Sequence, residues 1–213
     1  MKNTPQIIAK KILLFLTILL LTMNVFSQKS DRENFFKIGA KAGANINKIK
    51  GVAYKNGFNY NFQGGVFAQL KLTNKFGLQP EVNFVQTQTE FTNDVNTITD
   101  DLFGGGATAQ HKAKLDYLEV PLLLNVNVGP TKKIKLQFGP AYGGLLKQTV
   151  DSLKTGVKNI YKNGEWSVIG GLWIQMSIIN ISARYKAGLS NINGFSNQQW
   201  KNQAIQVSLG ITL

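Results

Sequence analysis

The sequence predicts an all-β fold, a transmembrane antiparallel up-and-down β-barrel of about eight strands, preceded by a cleavable signal peptide. Three observations support this prediction. Long segments alternate strictly between apolar and polar residues, short and long connections alternate between these segments, and an apolar leader opens the chain. Because side chains of a β-strand point alternately to opposite faces, each alternating segment forms a ribbon with one apolar and one polar face. Such ribbons are typical of a closed barrel whose apolar face contacts lipid.

The leader has the layout of a secretory signal peptide. Three lysines precede an apolar run over 12–21, and we expect cleavage after Ser27. A transmembrane helix is the alternative, but it needs about 20 apolar residues, and Thr22 and Asn24 interrupt the run early. The predicted domains are a signal peptide over 1–27, a periplasmic N-terminal tail over 28–34 and an outer-membrane β-barrel over 35–213.

The strands are placed by period-two alternation and by turn residues. The first ribbon is the clearest: apolar residues from Phe36 to Ile46 alternate with lysine, glycine and asparagine, over a length that is long for a soluble strand. The last ribbon repeats the pattern from Ile205 to Leu213. The eight predicted strands span 35–47, 57–72, 76–91, 112–127, 134–146, 165–175, 178–190 and 199–213.

The connections between these strands alternate in length. Those at 73–75, 128–133 and 176–177 are short, whereas those at 48–56, 92–111, 147–164 and 191–198 are longer and rich in polar residues. An outer-membrane barrel has tight periplasmic turns on one rim and longer outer loops on the other, so this alternation is the one that the architecture requires. An even number of strands places both ends of the barrel on the periplasmic side.

Alternation alone does not say which face lies inside, since a soluble lipocalin-type barrel places its apolar face inward around a ligand. Two observations favour the membrane barrel. Glycines fall mostly in the polar phase, where small residues relieve crowding in a narrow lumen. Large aromatic residues lie near strand ends, where a membrane barrel carries an aromatic girdle. The predicted girdle consists of Phe36, Phe58, Tyr60, Phe76, Trp166 and Trp200.

Four charged residues are predicted to meet inside the barrel. Lys41, Glu81, Glu119 and Arg184 all face inward near mid-height when the strands run alternately up and down. An eight-stranded barrel is just wide enough for side chains to fill, and unpaired buried charges are costly. We therefore expect these residues to form a structural ion network that closes the lumen; the alternative is that stagger of the strands separates one or two of them.

Composition and charge narrow the range of partners. The chain has no cysteine, which excludes disulfides and thiolate metal sites, and its formal charge is +13. A basic protein can bind nucleic acid, but the leader argues against it and the basic residues are scattered. Membrane lipid and lipopolysaccharide are the expected counter-charges, and no nucleic acid, cofactor or metal is expected.

Several strings in the predicted strands resemble the PorT-like outer-membrane β-barrel domain family, porin-like barrel proteins of the Bacteroidetes. They are Lys41-Ala42-Gly43-Ala44-Asn45, Leu78-Gln79-Pro80-Glu81, Tyr117-Leu118-Glu119-Val120-Pro121, Phe138-Gly139-Pro140 and Ala183-Arg184-Tyr185 with Gly188-Leu189. The resemblance covers nearly the whole chain after the leader. It implies an exported barrel without catalytic residues, and some members contribute to protein secretion or gliding machinery. Envelope or secretion proteins are then the implied partners.

Enzymatic chemistry has little support in the sequence. A lipid hydrolase of the barrel type would use a histidine with a nearby serine and carboxylate, and His111 is the single histidine. No serine is evidently placed beside it, so we interpret His111 as an exposed loop residue. Asp94, Asp100 and Asp101 lack the regular spacing of a calcium loop and are interpreted as a solvated turn.

Three functions follow from these observations. The first is a non-enzymatic structural or interaction module that presents its outer loops, with a link to secretion or envelope assembly. The second is a narrow diffusion channel. The third is a lipid-modifying outer-membrane enzyme. We expect the first function, and therefore no enzymatic activity.

Overall fold

The computed structural model is a closed barrel of eight strands, which confirms the predicted fold class. It describes residues 35–50, 57–90, 112–131, 133–150, 160–194 and 199–213. The predicted signal peptide over 1–27, the tail over 28–34, His111 and the three aspartates of the second long loop lie outside these ranges. The strands are β1 Phe36–Lys50, β2 Asn59–Lys71, β3 Phe76–Glu90, β4 Lys112–Val128, β5 Ile134–Val150, β6 Gly164–Met176, β7 Ile179–Gly188 and β8 Lys201–Thr212.

Every strand pairs with its neighbour in the sequence in antiparallel orientation, and β1 pairs with β8 to close the sheet. At this closing seam Ala42 lies opposite Leu209 and Asn45 lies opposite Gln206. Closure leaves no strand edge unpaired, so the backbone groups of the sheet find partners within the barrel. In a strand order of this kind β3 is diametrically opposite β7, and β4 is opposite β8.

Two strands extend further toward the outer rim than the sequence predicted. β1 continues to Lys50, which pairs with Lys201, and β5 continues to Val150, which pairs with Ala113. The pairing of β4 with β5 shifts between Asp116 and Tyr117, which leaves Leu146 as an extra residue on β5. A bulge of this kind reverses the phase of the strand beyond it, and the pattern of alternation is therefore harder to follow there.

The polar phase of the strands faces inward and the apolar phase faces outward. In β3 the side chains of Gln79, Glu81 and Asn83 are buried, whereas Val82 between them is exposed. The other strands also carry exposed large apolar residues, such as Phe138 in β5 and Leu209 in β8. Within the described ranges, there is no helix that is long and apolar enough to cross a membrane.

Glycines allow neighbouring strands to approach closely at the inner face. A Cβ atom added to Gly43 would meet the carbonyl oxygen of Val207 on β8, and one added to Gly139 would meet that of Leu122 on β4. Such contacts are too short for any side chain, so the backbone of the partner strand occupies the space that a side chain would need. Glycine is thus required at these two positions of the narrow barrel.

Candidate functional site in the barrel lumen

The lumen contains a buried ion cluster at mid-height, formed by Lys41 of β1, Glu81 of β3 and Arg184 of β7. The Lys41 Nζ atom lies 2.5 Å from Glu81 Oε2. Arg184 binds the same carboxylate with two bonds, Nη1 to Oε2 at 3.0 Å and Nη2 to Oε1 at 2.9 Å. Because β3 and β7 are opposite walls of the barrel, this pair crosses the full diameter of the lumen. We call these three residues the middle ion cluster.

Amide side chains complete the hydrogen bonding of the middle ion cluster. Gln79 Nε2 donates to Glu81 Oε1 at 2.7 Å, and Asn83 Nδ2 donates to Glu81 Oε2 at 3.0 Å. Gln137 of β5 accepts a hydrogen bond from Arg184 Nε at 2.8 Å, and its own Nε2 donates to Asn125 Oδ1 at 2.7 Å. A buried carboxylate with this many donors is stabilised in its charged form.

Arg184 also packs against an aromatic pair in the lumen. Its guanidinium carbon lies 5.5 Å from the ring centre of Trp173 on β6. Trp173 in turn meets Phe67 of β2 edge to face, with the ring centres 5.0 Å apart. Both rings are buried, so they occupy lumen space beside the middle ion cluster and limit the movement of Arg184.

A second ion cluster lies nearer the outer rim and contains Lys186 of β7, Glu119 of β4 and Glu165 of β6. Lys186 Nζ is 2.7 Å from Glu119 Oε2 and 3.5 Å from Glu165 Oε2. Gln206 of β8 donates to Glu119 Oε1 at 3.3 Å, which joins another pair of opposite walls. We call these three charged residues the upper ion cluster. Counted with all six groups ionised, the middle cluster has a formal charge of +1 and the upper cluster a formal charge of −1.

The expected four-residue network is therefore divided between two clusters. Lys41, Glu81 and Arg184 are in direct contact, whereas Glu119 contacts Lys186 instead. The register explains this separation. Glu119 on β4 is paired with Asn83 on β3, and Asn83 is the next inward-facing residue after Glu81. One such step is about 7 Å along a strand, which is too far for direct contact with the Arg184 pair.

The site residues predicted from the sequence did not include Glu165 or Lys186. Lys186 is two positions after Arg184 and so faces the same way, and Glu165 is in phase with Ser167 and Gly171 of β6. Strand phase is enough to place both side chains inside. It could not have placed them at the height of Glu119, which depends on the stagger between strands.

The outer end of the lumen is filled by an apolar cluster. Trp200 and Tyr161 pack with their ring centres 5.7 Å apart. Segments before β6 and after β7 are tied across this end, since Lys162 donates its backbone N–H to Ile192 and Ile192 donates to Trp200. The buried members are Ile49, Ala113, Leu115, Tyr117, Ile160, Tyr161, Ile192 and Trp200. This outer cap covers the upper ion cluster.

The assignment of Trp200 to the aromatic girdle was wrong. Its side chain is 0% exposed, and it belongs to the outer cap inside the barrel. The reason is strand phase: Trp200 is in phase with Asn202 and Gln206, which are both buried on the inner face. A tryptophan close to a strand end is therefore not enough to predict a contact with lipid.

The other five aromatic residues of the predicted girdle are exposed. Phe36 and Phe76 lie at the first positions of β1 and β3, on the rim of the short turns. Phe58, Tyr60 and Trp166 lie near the opposite rim, and Trp166 is 58% exposed while its ring packs against Tyr142. The structure thus places aromatic side chains on the outer face near both rims.

The lumen opens into a cavity of about 390 Å³ at the rim of the short turns, the rim that the sequence predicts to be periplasmic. Lysine and amide side chains dominate its lining, which contains no aspartate or glutamate. Among the described residues, no group of histidine, cysteine, aspartate and glutamate is arranged to hold a metal ion. We call this cavity the periplasmic vestibule.

Comparison with known proteins gives one family match and several structural similarities. The family model described as outer membrane protein beta-barrel domain matches residues 26–194. No curated protein sequence matches the chain. The barrel is similar to Neisserial surface protein A, with 13% identity, a TM-score of 0.48 and coverage of 84% of this chain and 97% of that one.

Two further solved structures are similar to the barrel. OprG from Pseudomonas aeruginosa has 11% identity and a TM-score of 0.48, with 83% of this chain and 95% of that chain covered. Ail, the attachment invasion locus protein of Yersinia pestis, has 12% identity and a TM-score of 0.45, with 83% and 98% covered.

Proposed function

The chain belongs to the outer membrane protein beta-barrel domain family, and from this premise we propose that it is a non-conducting, non-enzymatic module that presents its outer loops to envelope partners. Membership of the family places the protein in the outer membrane. In this setting the exposed apolar side chains of the strands contact lipid, and the polar phase lines the enclosed lumen.

The observation that supports a non-conducting barrel is the Arg184–Glu81 pair. It joins opposite walls with two charge-assisted hydrogen bonds, and Lys41 adds a third donor to the same carboxylate. An ion that passed through would have to displace this buried pair, and leaving one partner unpaired costs about 3 to 5 kcal/mol. The outer cap and the upper ion cluster add two further layers of side chains along the same path.

Recording in planar bilayers tests this proposal against the narrow-channel alternative. We expect the purified protein, with insertion verified by its protection from protease, to give no steady conductance steps. The matched variant removes the crossing pair by combining Glu81→Ala with Arg184→Ala, and an increase in conductance in this variant alone would agree with the proposal. Steady steps from the unchanged protein would overturn it in favour of the channel.

The interaction role is proposed on the alternation of short turns with long loops and on the resemblance to PorT-like proteins. A loop that contacts a partner is expected to be necessary for that contact, whereas the barrel supplies only its position. The test is affinity purification from detergent-solubilised envelopes, with a variant whose segment 92–111 is replaced by a short glycine-serine linker. Co-purification of a secretion or envelope complex with the full chain, lost in the variant, is the expected result. Equal recovery with both would contradict a role for this loop.

A lipid-modifying enzyme is the remaining alternative. Mass spectrometry of lipid A from cells with and without the protein distinguishes it from a module. We expect identical lipid A in both. A deacylated species that disappears on His111→Ala would contradict the non-enzymatic proposal.

A further inference from the structure

The periplasmic vestibule gathers positive charge at the open end of the lumen. Four lysines line it: Lys37, Lys71, Lys133 and Lys135. No carboxylate lies within 4 Å of these lysines among the described residues, in contrast to Lys41 and Lys186 deeper in the lumen, which are paired. Lys37 is near enough to Lys135 for their charges to repel. Cations gathered without a counter-charge raise the local concentration of anions.

Lys135 is held in place by amide oxygens. Its Nζ atom donates to Gln69 Oε1 at 2.9 Å and to Gln175 Oε1 at 3.3 Å. Both amides are themselves oriented, because Gln69 Nε2 donates to Gln79 Oε1 at 3.1 Å and Gln175 Nε2 donates to the Ser177 carbonyl at 3.3 Å. A lysine ammonium has three N–H donors, so one remains for a further acceptor. Neutral acceptors fix the position of this charge without cancelling it.

We infer that the periplasmic vestibule binds a small phosphate-bearing anion that enters from the periplasm. A volume of about 390 Å³ is within the range of small-molecule sites, which is roughly 300 to 1,000 Å³. Four ammonium groups favour a ligand with more than one negative charge, and lysine binds phosphate as a point charge. The floor of the vestibule is the amide network below the middle ion cluster, so the ligand would be bound and not conducted.

Inorganic pyrophosphate is the probe, measured by isothermal titration calorimetry with the full barrel in zwitterionic detergent at fixed ionic strength. We expect one saturable site per chain. Lys135→Gln and Lys37→Gln should each weaken binding about tenfold, which corresponds to about 1.4 kcal/mol, because each removes a charged hydrogen-bond donor. Lys135→Arg keeps the charge and should retain most of the affinity. Lys133→Gln removes another of the four positive charges, at the exposed rim of the vestibule. It tests the contribution of charge to binding without disturbing the interior.

The matched control is Lys201→Gln, which removes one positive charge from the exposed outer end of β8. It should leave pyrophosphate affinity within about twofold, because a charge more than a Debye length away is screened. Absence of saturable binding, or equal losses from Lys201→Gln and Lys135→Gln, would overturn the inference. A second titration in micelles that contain phosphatidylglycerol distinguishes the sources of phosphate. Competition would assign the site to a lipid headgroup, and unchanged affinity would assign it to a soluble phosphate.

Discussion

Arg184 on β7 and Glu81 on β3 meet across the diameter of the barrel through two hydrogen bonds of 3.0 and 2.9 Å. Both side chains are almost completely buried. The pair joins β3 and β7, two strands that share no backbone hydrogen bond. It therefore acts as a brace inside the closed sheet as well as a barrier in the lumen. The stability of the barrel and the closure of its lumen depend on the same contact.

The middle ion cluster predicts an order of stability among its variants. Glu81→Gln leaves Lys41 and Arg184 as two buried cations without a carboxylate, and we expect it to lower the free energy of unfolding by about 3 to 5 kcal/mol. Lys41→Met leaves the Arg184–Glu81 pair intact and should cost less than half as much. Urea unfolding of the refolded proteins in detergent measures both. Equal losses, or no loss from Glu81→Gln, would contradict the account.

The separation of the two ion clusters predicts which residues are coupled. In a double-mutant cycle Glu119→Gln and Lys186→Met should show a coupling of about 1 to 3 kcal/mol, because their side chains are in contact at 2.7 Å. The cycle of Glu119→Gln with Lys41→Met should give less than half of that value. A larger coupling with Lys41 would instead place Glu119 in the single network that the sequence predicted.

The strand glycines predict a steric requirement that differs from site to site, since Gly43 faces the lumen whereas Gly144 is in phase with the exposed Tyr142. A Cβ added to Gly43 would overlap the backbone of β8 at the closing seam, whereas one added to Gly144 would have no neighbour closer than 3.9 Å. Gly43→Ala should destabilise the barrel by about 1 to 3 kcal/mol through overpacking, and Gly144→Ala should leave it nearly unchanged. The fraction that refolds into detergent, read from heat-dependent gel mobility, compares the two. Similar refolding of both variants would contradict the close approach at Gly43.

Strand phase predicted most of the fold, because a barrel with lipid outside and polar side chains inside requires strict alternation. The inward direction of Lys41, Glu81, Glu119 and Arg184 followed from phase alone. Their contacts did not, since the height of each residue depends on the stagger of its strand around the barrel. For that reason strand phase predicts a contact between Glu119 and Arg184, whereas in the structure Glu119 contacts Lys186.

The ends of the strands were harder to predict than their centres. Trp200 precedes β8, and its position near a rim resembled that of a girdle residue; its phase, shared with Asn202, was the stronger signal. In β5 the bulge at Leu146 interrupts the alternation. For this reason the predicted end of the strand is four residues too early. Local irregularities of this kind are fixed by pairing with the neighbouring strand, which a single sequence pattern does not contain.

The accessibility of two tryptophans to lipid tests the central claim that the apolar phase contacts the membrane and the polar phase encloses a filled lumen. The measurement is fluorescence quenching by brominated lipid in variants that keep only Trp166 or only Trp200, with the other tryptophans, including Trp173, replaced by phenylalanine. The account predicts strong quenching of Trp166, which is 58% exposed on the outer face, and little quenching of Trp200, which is 0% exposed inside the outer cap. Equal quenching of both, or stronger quenching of Trp200, would contradict it.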